Sequence, residues 1–336
     1  MVNSGSHQRT LPLIVVSLLA ATIGAVAALV LGLLTFGVQA TVNPDHVPLA
    51  VGTEDPNAAT ALAQLTQGVV SHGGDQIEWH TVESRAQAES LLDNKQVYGA
   101  MLFSPGSSGL NATILLSGAV NPQATALAQS ILVGVAAGTK AQFQIVTIHP
   151  ASAAGRTLPL AGTALLWLAA LVGNVVVLGL GPRWRGGAAV GRIGVFGLAA
   201  SSAILGTALV IGLAWLWDST LSIGWDAAGF FLLVGFAFAL LQAAVLRWLG
   251  LAGVALLGPL YLIAPAVAGL PPELINPTYR VLLWSWTPFR FSVEGMRSVL
   301  FLNGGAPDVQ PALILFTAIA LVAAVLIGAR RTARAV

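Results

Sequence analysis

The chain has 336 residues, of which 56% are hydrophobic and only 8% are charged, a composition that excludes an ordinary soluble domain. Its net charge of +2 comes from basic residues scattered in short segments between apolar runs, which argues against a nucleic-acid surface and against a nucleic-acid partner. The sequence contains no cysteine, which excludes disulfides and thiolate metal sites within these residues.

Six apolar runs are each long enough to cross the roughly 30 Å hydrocarbon core of a bilayer as a helix. They comprise residues 11–40, 158–180, 193–217, 227–246, 249–270 and 312–329. The first run exceeds the apolar core of a signal peptide, about 7 to 15 residues, so we expect an uncleaved anchor in a first unit of residues 1–40. The pattern therefore predicts a polytopic α-helical membrane protein with six transmembrane helices.

The charges predict the orientation of these helices. If both termini are cytoplasmic, the inner segments carry arginines and no acidic residue. These arginines are Arg9, Arg183, Arg185, Arg192, Arg247, Arg330, Arg331 and Arg334. All thirteen carboxylates then lie on the opposite side, as the positive-inside rule requires. We expect an N-in, C-in protein of the bacterial cytoplasmic membrane with its large domain outside.

Residues 41–157, between the first two apolar runs, have the pattern of a folded extracytoplasmic domain. Asp55 before Pro56 predicts a helix start, and Ser84 with Gln87 forms a capping box. The strands are expected at 47–53, 77–82, 97–103, 112–117 and 143–148, and the helices at 57–71, 84–94 and 122–140. The order β-α-β-α-β-β-α-β predicts a small mixed α/β domain inserted between the first two transmembrane helices.

The residues of this domain offer little chemistry. His46, His72, His80 and His149 lack the spacing of a zinc-binding helix, and neither a serine elbow nor a cysteine nucleophile is present. We therefore expect no enzyme activity, no metal site and no cofactor.

Residues 158–336 are expected to form a five-helix transmembrane domain. They contain no P-loop and no ionisable residue at the centre of an apolar run, which disfavours an ATPase and an ion-coupled carrier. Asn174 and Gln242 place amides inside two of the runs. These amides either line a path for a polar group or form hydrogen bonds between helices.

The connection at 271–303 is too apolar for an ordinary loop and predicts a re-entrant or interfacial element. Arg290, Glu294 and Arg297 fall on one face of a helix there, and Glu294 can pair with either arginine. This face is a candidate outer gate. The alternative is an interfacial helix whose arginines extend to the membrane surface.

Four stretches of the chain carry a resemblance to a known family. They are Val47-Pro-Leu-Ala-Val-Gly-Thr-Glu-Asp55, Ser84-Arg-Ala-Gln-Ala88 with Asp93-Asn-Lys95, Tyr98-Gly-Ala-Met-Leu-Phe-Ser-Pro105, and Trp286-Thr-Pro-Phe-Arg290 through Gly295-Met-Arg297. Together with the one-plus-five arrangement of apolar runs around a large outer domain, they resemble type-2 ABC transporter permeases of the branch that includes the phage-infection protein family.

The resemblance implies a homodimer or heterodimer in contact with membrane lipids. It also implies a separate ATP-binding subunit that drives export of a hydrophobic or amphipathic lipid, peptide or drug. Arg183, Trp184, Arg185 and Arg192 are the candidate contacts for that ATPase, although a positive-inside loop is the simpler explanation of the arginines. The alternative function is a noncatalytic envelope scaffold or receptor whose outer domain recruits partner proteins.

Overall fold

The computed structural model describes residues 13–107, 109–184, 191–302 and 306–329. The chain is mostly helical and combines long apolar helices with a small α/β sheet. Helix α1 (Leu13–Ala40) is followed by an α/β domain, and a bundle of apolar helices follows that domain.

Strands and helices alternate in the α/β domain in the order that the sequence predicts. They are β1 (Val47–Thr53), α2 (Ala59–His72), β2 (Ile77–Val82), α3 (Arg85–Asp93), β3 (Ala100–Gly106), β4 (Gly109–Ser117), α4 (Pro122–Gly138) and β5 (Gln142–Ile148). Strand β3 begins three residues later than expected, and β4 begins at Gly109 because the β3–β4 hairpin continues to its tip.

The two predicted helix starts are confirmed. The Asp55 carboxylate accepts a hydrogen bond from the Asn57 N–H at 2.9 Å, at a single 3₁₀ turn that precedes α2. The Ser84 hydroxyl accepts from the Gln87 N–H at 3.3 Å, and the Gln87 side chain accepts from the Glu83 N–H at 3.0 Å. The Gln87 side chain thus bonds to Glu83, the residue before the N-cap, and not to the N-cap Ser84. Both bonds satisfy backbone N–H groups at the start of α3.

The five strands form one mixed sheet in the order β2-β1-β3-β4-β5. Strand β1 is parallel to β2 and β3, β3 is antiparallel to β4, and β4 is parallel to β5. Helices α2 and α4 pack on one face of the sheet and α3 packs on the other. Alternate strand residues fill the two apolar layers, with Phe103 and Ile114 fully buried beneath α2 and α4.

The second part of the chain forms the bundle. Its main helices are α5 (Ala153–Trp184), α6 (Arg192–Trp217), α7 (Trp225–Leu249), α8 (Ala252–Ala268), α9 (Pro277–Tyr279), α10 (Pro288–Phe301) and α11 (Val309–Ala329). Within the described residues, five helices, α1, α5, α6, α7 and α11, are long and apolar enough to cross a membrane. Helix α8 has 17 residues and is about 26 Å long, so the sixth transmembrane helix stays a prediction.

Helix α5 extends past the predicted apolar run at both ends, because backbone hydrogen bonding is not limited by the thickness of the hydrocarbon layer. The predicted connection at 181–192 is accordingly shorter, since helix α5 continues to Trp184. Between α8 and α10 the chain forms short turns, including a π-helical turn at Arg280–Trp284, as the irregular 271–303 segment suggests.

Helix α7 lies at the centre of the bundle and packs against α5, α6, α8, α10 and α11. Its fully buried Phe238 meets the rings of Trp167 and Phe316 edge-on, at centroid distances of 5.0 and 5.5 Å. Helix α1 is peripheral and packs on α8 near its own C-terminal end, where Val38 is buried.

The contacts also define the two ends of the bundle. At one end, the start of α5 at Gly155 lies against Phe301 of α10 and Leu221 of the α6–α7 connection. At the other end, Arg192 of α6 donates a hydrogen bond to the Gly328 carbonyl of α11 at 2.5 Å. The α/β domain packs on the first of these ends.

Candidate functional site

The α/β domain meets the bundle through a group of charged side chains, here called the charge cluster: Lys95, Glu294, Arg297 and Asp308. Lys95 Nζ lies 2.6 Å from Asp308 Oδ2 and 3.3 Å from Glu294 Oε2. Arg297 donates a hydrogen bond to Glu294 from one helical turn further along α10. The cluster therefore joins the end of α3, helix α10 and the start of α11.

The backbone at the end of α3 directs Lys95 toward the bundle. The Lys95 N–H donates to the Leu92 carbonyl and the Gln96 N–H donates to the Leu91 carbonyl, which closes the helix. Lys95 has a φ of +54°, a left-handed conformation that costs a non-glycine residue about 1–2 kcal/mol. The ion pairs of its amine offset that cost, which explains a lysine where a glycine would be unstrained.

The ionisation of Glu294 reflects its two cationic neighbours. Burial opposes the charged form, but the charges and hydrogen bonds of Arg297 and Lys95 outweigh it and hold the pKa of Glu294 at about 2. Asp308 also accepts a hydrogen bond from the Ser298 hydroxyl at 3.4 Å. Glu294 is thus ionised at neutral pH.

Glu294 pairs with Arg297, one of the two arginines of the candidate outer gate that the sequence offers it. The Arg290 guanidinium instead lies 3.8 Å from the ring centroids of Trp284 and Phe291 and donates to the Ser285 carbonyl. These aromatic faces stabilise a cation without a carboxylate. Burial lowers the pKa of Arg290, against the attraction of Asp308 and Glu294. A gating role for this face stays a prediction.

A second set of contacts lies on the other side of the junction. The Tyr98 hydroxyl donates to Glu273 at 2.5 Å, and Leu274 is buried in the apolar layer of the α/β domain. Backbone N–H groups of Asn43 and Asp45 donate to the carbonyls of Leu274 and Glu273. Burial raises the pKa of Tyr98. Burial also raises the pKa of Glu273, although the hydrogen bond from Tyr98 acts to lower it. The segment after α8 is therefore part of the α/β domain surface.

A cavity of about 760 Å³ lies at this end of the bundle, between the ends of α1 and α8, the starts of α4 and α5, and helix α10. Its wall combines apolar side chains with two arginines. These residues include Val42, Arg156, Leu160, Ala266, Leu270 and Arg297. No carboxylate belongs to the described lining, so the cavity is amphipathic and electropositive.

The two intramembrane amides bind backbone carbonyls across the α5–α7 interface. Asn174 donates to the carbonyls of Ala170 and Ala239 at 3.0 and 3.1 Å, and Gln242 donates to the Trp167 carbonyl at 3.0 Å. Both residues are buried. The bonds to Ala239 and Trp167 join α5 to α7 and are the interhelical alternative that the sequence left open, and a role in lining a path stays a prediction.

Three of the four candidate ATPase contacts, Arg183, Trp184 and Arg192, belong to helix ends at the opposite end of the bundle. Arg183 and Trp184 form the end of α5, and Arg185 lies outside the described residues. Arg192 begins α6, and its bond to Gly328 places a cation at the C-terminal end of α11, where the helix dipole favours it. An ATPase contact for these four residues stays a prediction.

Sequence reasoning missed two members of the charge cluster, Lys95 and Asp308. Lys95 lies 199 residues from Glu294 in the chain, and its only signal was a polar turn after a predicted helix.

Comparison of the chain with protein-family models, with curated proteins and with solved structures finds no match.

Proposed function

We propose that this chain is the membrane subunit of an ABC-type exporter that moves a hydrophobic or amphipathic substrate outward with a separate ATPase. The observation that carries the proposal is the 760 Å³ cavity between the bundle and the α/β domain. Its volume is in the usual range of ligand pockets, and its mixture of apolar and cationic side chains suits an amphipathic molecule. The 336 residues contain no P-loop, so the proposal assigns ATP hydrolysis to a separate subunit.

The distribution of charge supports the orientation in the membrane on which the proposal rests. Arg192 and Arg247 lie at the end of the bundle opposite the α/β domain, and the acidic residues lie on the domain side. By the positive-inside rule this arrangement favours a cytoplasmic end at Arg192 and an extracytoplasmic α/β domain. The resemblance to type-2 ABC permeases favours the same orientation in a bacterial cytoplasmic membrane, with six transmembrane helices and a dimeric assembly.

Single-cysteine labelling of the cysteine-free chain tests this orientation. Ser71→Cys on α2 should react with a membrane-impermeant maleimide in intact cells, since Ser71 is exposed in the α/β domain. Ser4→Cys should react only after the membrane is permeabilised. The reverse pattern would place the α/β domain in the cytoplasm and refute export in the proposed direction.

Charge reversal at the end of α5 tests the coupling to an ATPase. The double variant Arg183→Glu, Arg185→Glu should abolish export and release the co-purifying ATPase, because loss of one partner of a buried interfacial charge pair costs about 2–5 kcal/mol. The matched control is Arg330→Glu, Arg331→Glu, which makes the same charge change at the C-terminus on the same side. Equal export by the α5 variant and the wild type would show that its arginines serve topology alone.

A noncatalytic envelope scaffold or receptor is the second candidate function. The observation that favours it is an exposed apolar surface on strand β5, which lies at an edge of the sheet. On this strand Phe143 is 45% exposed and Ile145 is 41% exposed. Exposed apolar side chains on an unpaired edge suit recruitment of another protein. If the chain is a scaffold, replacement of both residues by Lys should abolish recruitment of its partner proteins. If it is an exporter, the same variant should retain both its partners and its export.

A further inference from the structure

We infer that the junction cavity binds an anionic amphiphile, a molecule with a phosphate or carboxylate head group on an acyl chain. This inference deepens the proposed function and rests on it for the role of the cavity in transport. The binding itself depends on the cavity alone.

Arg297 provides a buried binding group for the head of such a molecule. Its side chain is 3% exposed and lines the cavity, and one of its terminal nitrogens donates to Glu294. Its Nε is buried and has no hydrogen-bond partner among the described residues. That N–H is closed to an atom the size of a water oxygen, so Arg297 acts on a head group through the positive charge of its guanidinium in the cavity wall.

Arg156 supplies a second cation at the opening of the same cavity. It lies in the first turn of α5 and is exposed, and it forms no ion pair within the described ranges. An exposed arginine at the opening and a buried one inside suit a head group that enters from outside. Arginine is also the side chain that binds phosphate and carboxylate oxygens in a bidentate manner.

The positive charge is confined to the lining of the cavity. Around it, Lys95, Arg290 and Arg297 lie among three carboxylates, Glu273, Glu294 and Asp308, whereas the lining itself holds two arginines and no described carboxylate. The first residues of α4 and α5 also line the cavity, and helix N-termini favour anions. A cationic or zwitterionic head group has no such complement here.

The remaining wall suits the acyl chain. Val42, Leu160, Ala266 and Leu270 line the cavity on the side of helices α1, α5 and α8. These helices are apolar along their length, so a chain that leaves the cavity meets apolar surface and then lipid. An anion without an acyl chain would leave this wall uncovered, which is why we infer an amphiphile rather than a free phosphate.

Binding by the purified full-length protein in nanodiscs tests the inference without any ATPase or transport step. The probes are myristoyl lysophosphatidic acid, myristoyl lysophosphatidylcholine and inorganic phosphate, and the readout is the dissociation constant together with native mass spectrometry. We expect the lysophosphatidic acid to bind at least tenfold more tightly than the other two. Arg156→Gln should weaken it about tenfold, because a hydrogen bond to a charged group has been lost.

Two variants keep the result interpretable. Arg85→Gln removes the same charge on α3 and should bind as the wild type does, since Arg85 does not line the cavity. Val42→Trp fills the cavity from a side chain that is 42% exposed and should also weaken binding. Equal binding of the choline lipid would refute the anionic head group, and equal binding of phosphate would refute the amphiphile. Unchanged affinity in Arg156→Gln and Val42→Trp would refute the site.

This assay also separates the two proposals. Selective binding together with normal cellular export in Arg156→Gln would refute the transport role and retain the binding site. Failure of the lysophosphatidic acid to bind would refute the site and leave an exporter of another substrate.

Discussion

Helix α7 and the junction between the α/β domain and the bundle are stabilised by different kinds of contact. Around α7 the contacts are apolar and aromatic, with Phe238 between Trp167 and Phe316. At the junction they are ionic, with Lys95 2.6 Å from Asp308. Aromatic packing does not respond to pH or salt, whereas ion pairs respond to both. The junction is therefore the part of the molecule whose contacts pH and salt can weaken.

The largest effect is expected at α7. Phe238→Ala should lower the free energy of unfolding by about 3–5 kcal/mol, because it leaves a cavity among rings that cannot close it. Phe36→Ala is the matched control, since Phe36 on α1 is 69% exposed, and it should change stability by about 0.5 kcal/mol at most. Equilibrium unfolding in detergent micelles measures both. Equal losses in the two variants would contradict the central position of α7.

At the junction, Lys95→Met should cost about 1–2 kcal/mol, since it leaves Glu294 and Asp308 without their shared cation while Asp308, 37% exposed, retains contact with water. Lys95→Gly removes the same charge and relieves the left-handed backbone, so it should be more stable than Lys95→Met by about 1 kcal/mol. Urea unfolding followed by tryptophan fluorescence gives both values. Equal stability of the two variants would refute the backbone argument.

Acid should weaken the junction and leave the packing around α7 intact. The pKa of Glu294 in the folded chain, about 2, lies below its usual value of 4.5, so its ionised form stabilises the fold above pH 4.5. That contribution is lost as the pH falls from 4.5 toward 2. The melting temperature, measured from pH 7 to about pH 2.5, should fall less steeply in Glu294→Gln than in the wild type. Parallel curves would show that Glu294 is not the titrating group.

The smallest effect is expected on the surface of α3. Arg85 pairs with Glu89 at 2.8 Å, but both side chains are more than a third exposed. Glu89→Gln should therefore change the free energy of unfolding by about 0.5 kcal/mol or less. A loss as large as that of Lys95→Met, in the same urea titration, would remove the distinction between surface and junction ion pairs.

Local patterns predicted the elements of the α/β domain well. Asp55 and Ser84 identify helix starts because their side chains bind N–H groups only two or three residues away. The apolar runs likewise predicted the positions of the long helices, because length and hydropathy are local properties. The bounds of α5 were less accurate, since a helix can continue beyond the apolar run that identifies it.

The candidate site depended on contacts that sequence periodicity does not encode. Spacing within α10 predicted that Glu294 could reach an arginine, and Arg297 at i+3 does pair with it. The partner Lys95 belongs to another domain, and Arg290 has aromatic neighbours in place of a carboxylate. Which residues from distant segments meet depends on how the α/β domain packs on the bundle, and only the folded chain supplies that.

The backbone hydrogen bonds between the first linker and the segment after α8 have a mechanical consequence. The α/β domain is already joined to α1 and α5 by the chain itself and to the bundle by the ion pairs of Lys95, and the bonds from Asn43 and Asp45 to Leu274 and Glu273 add a further attachment. The two chain connections alone would permit rotation about the line between them, and the additional contacts oppose it. A tilt of the α/β domain must therefore break these bonds or move the end of α8, so force applied to the domain reaches the wall of the cavity.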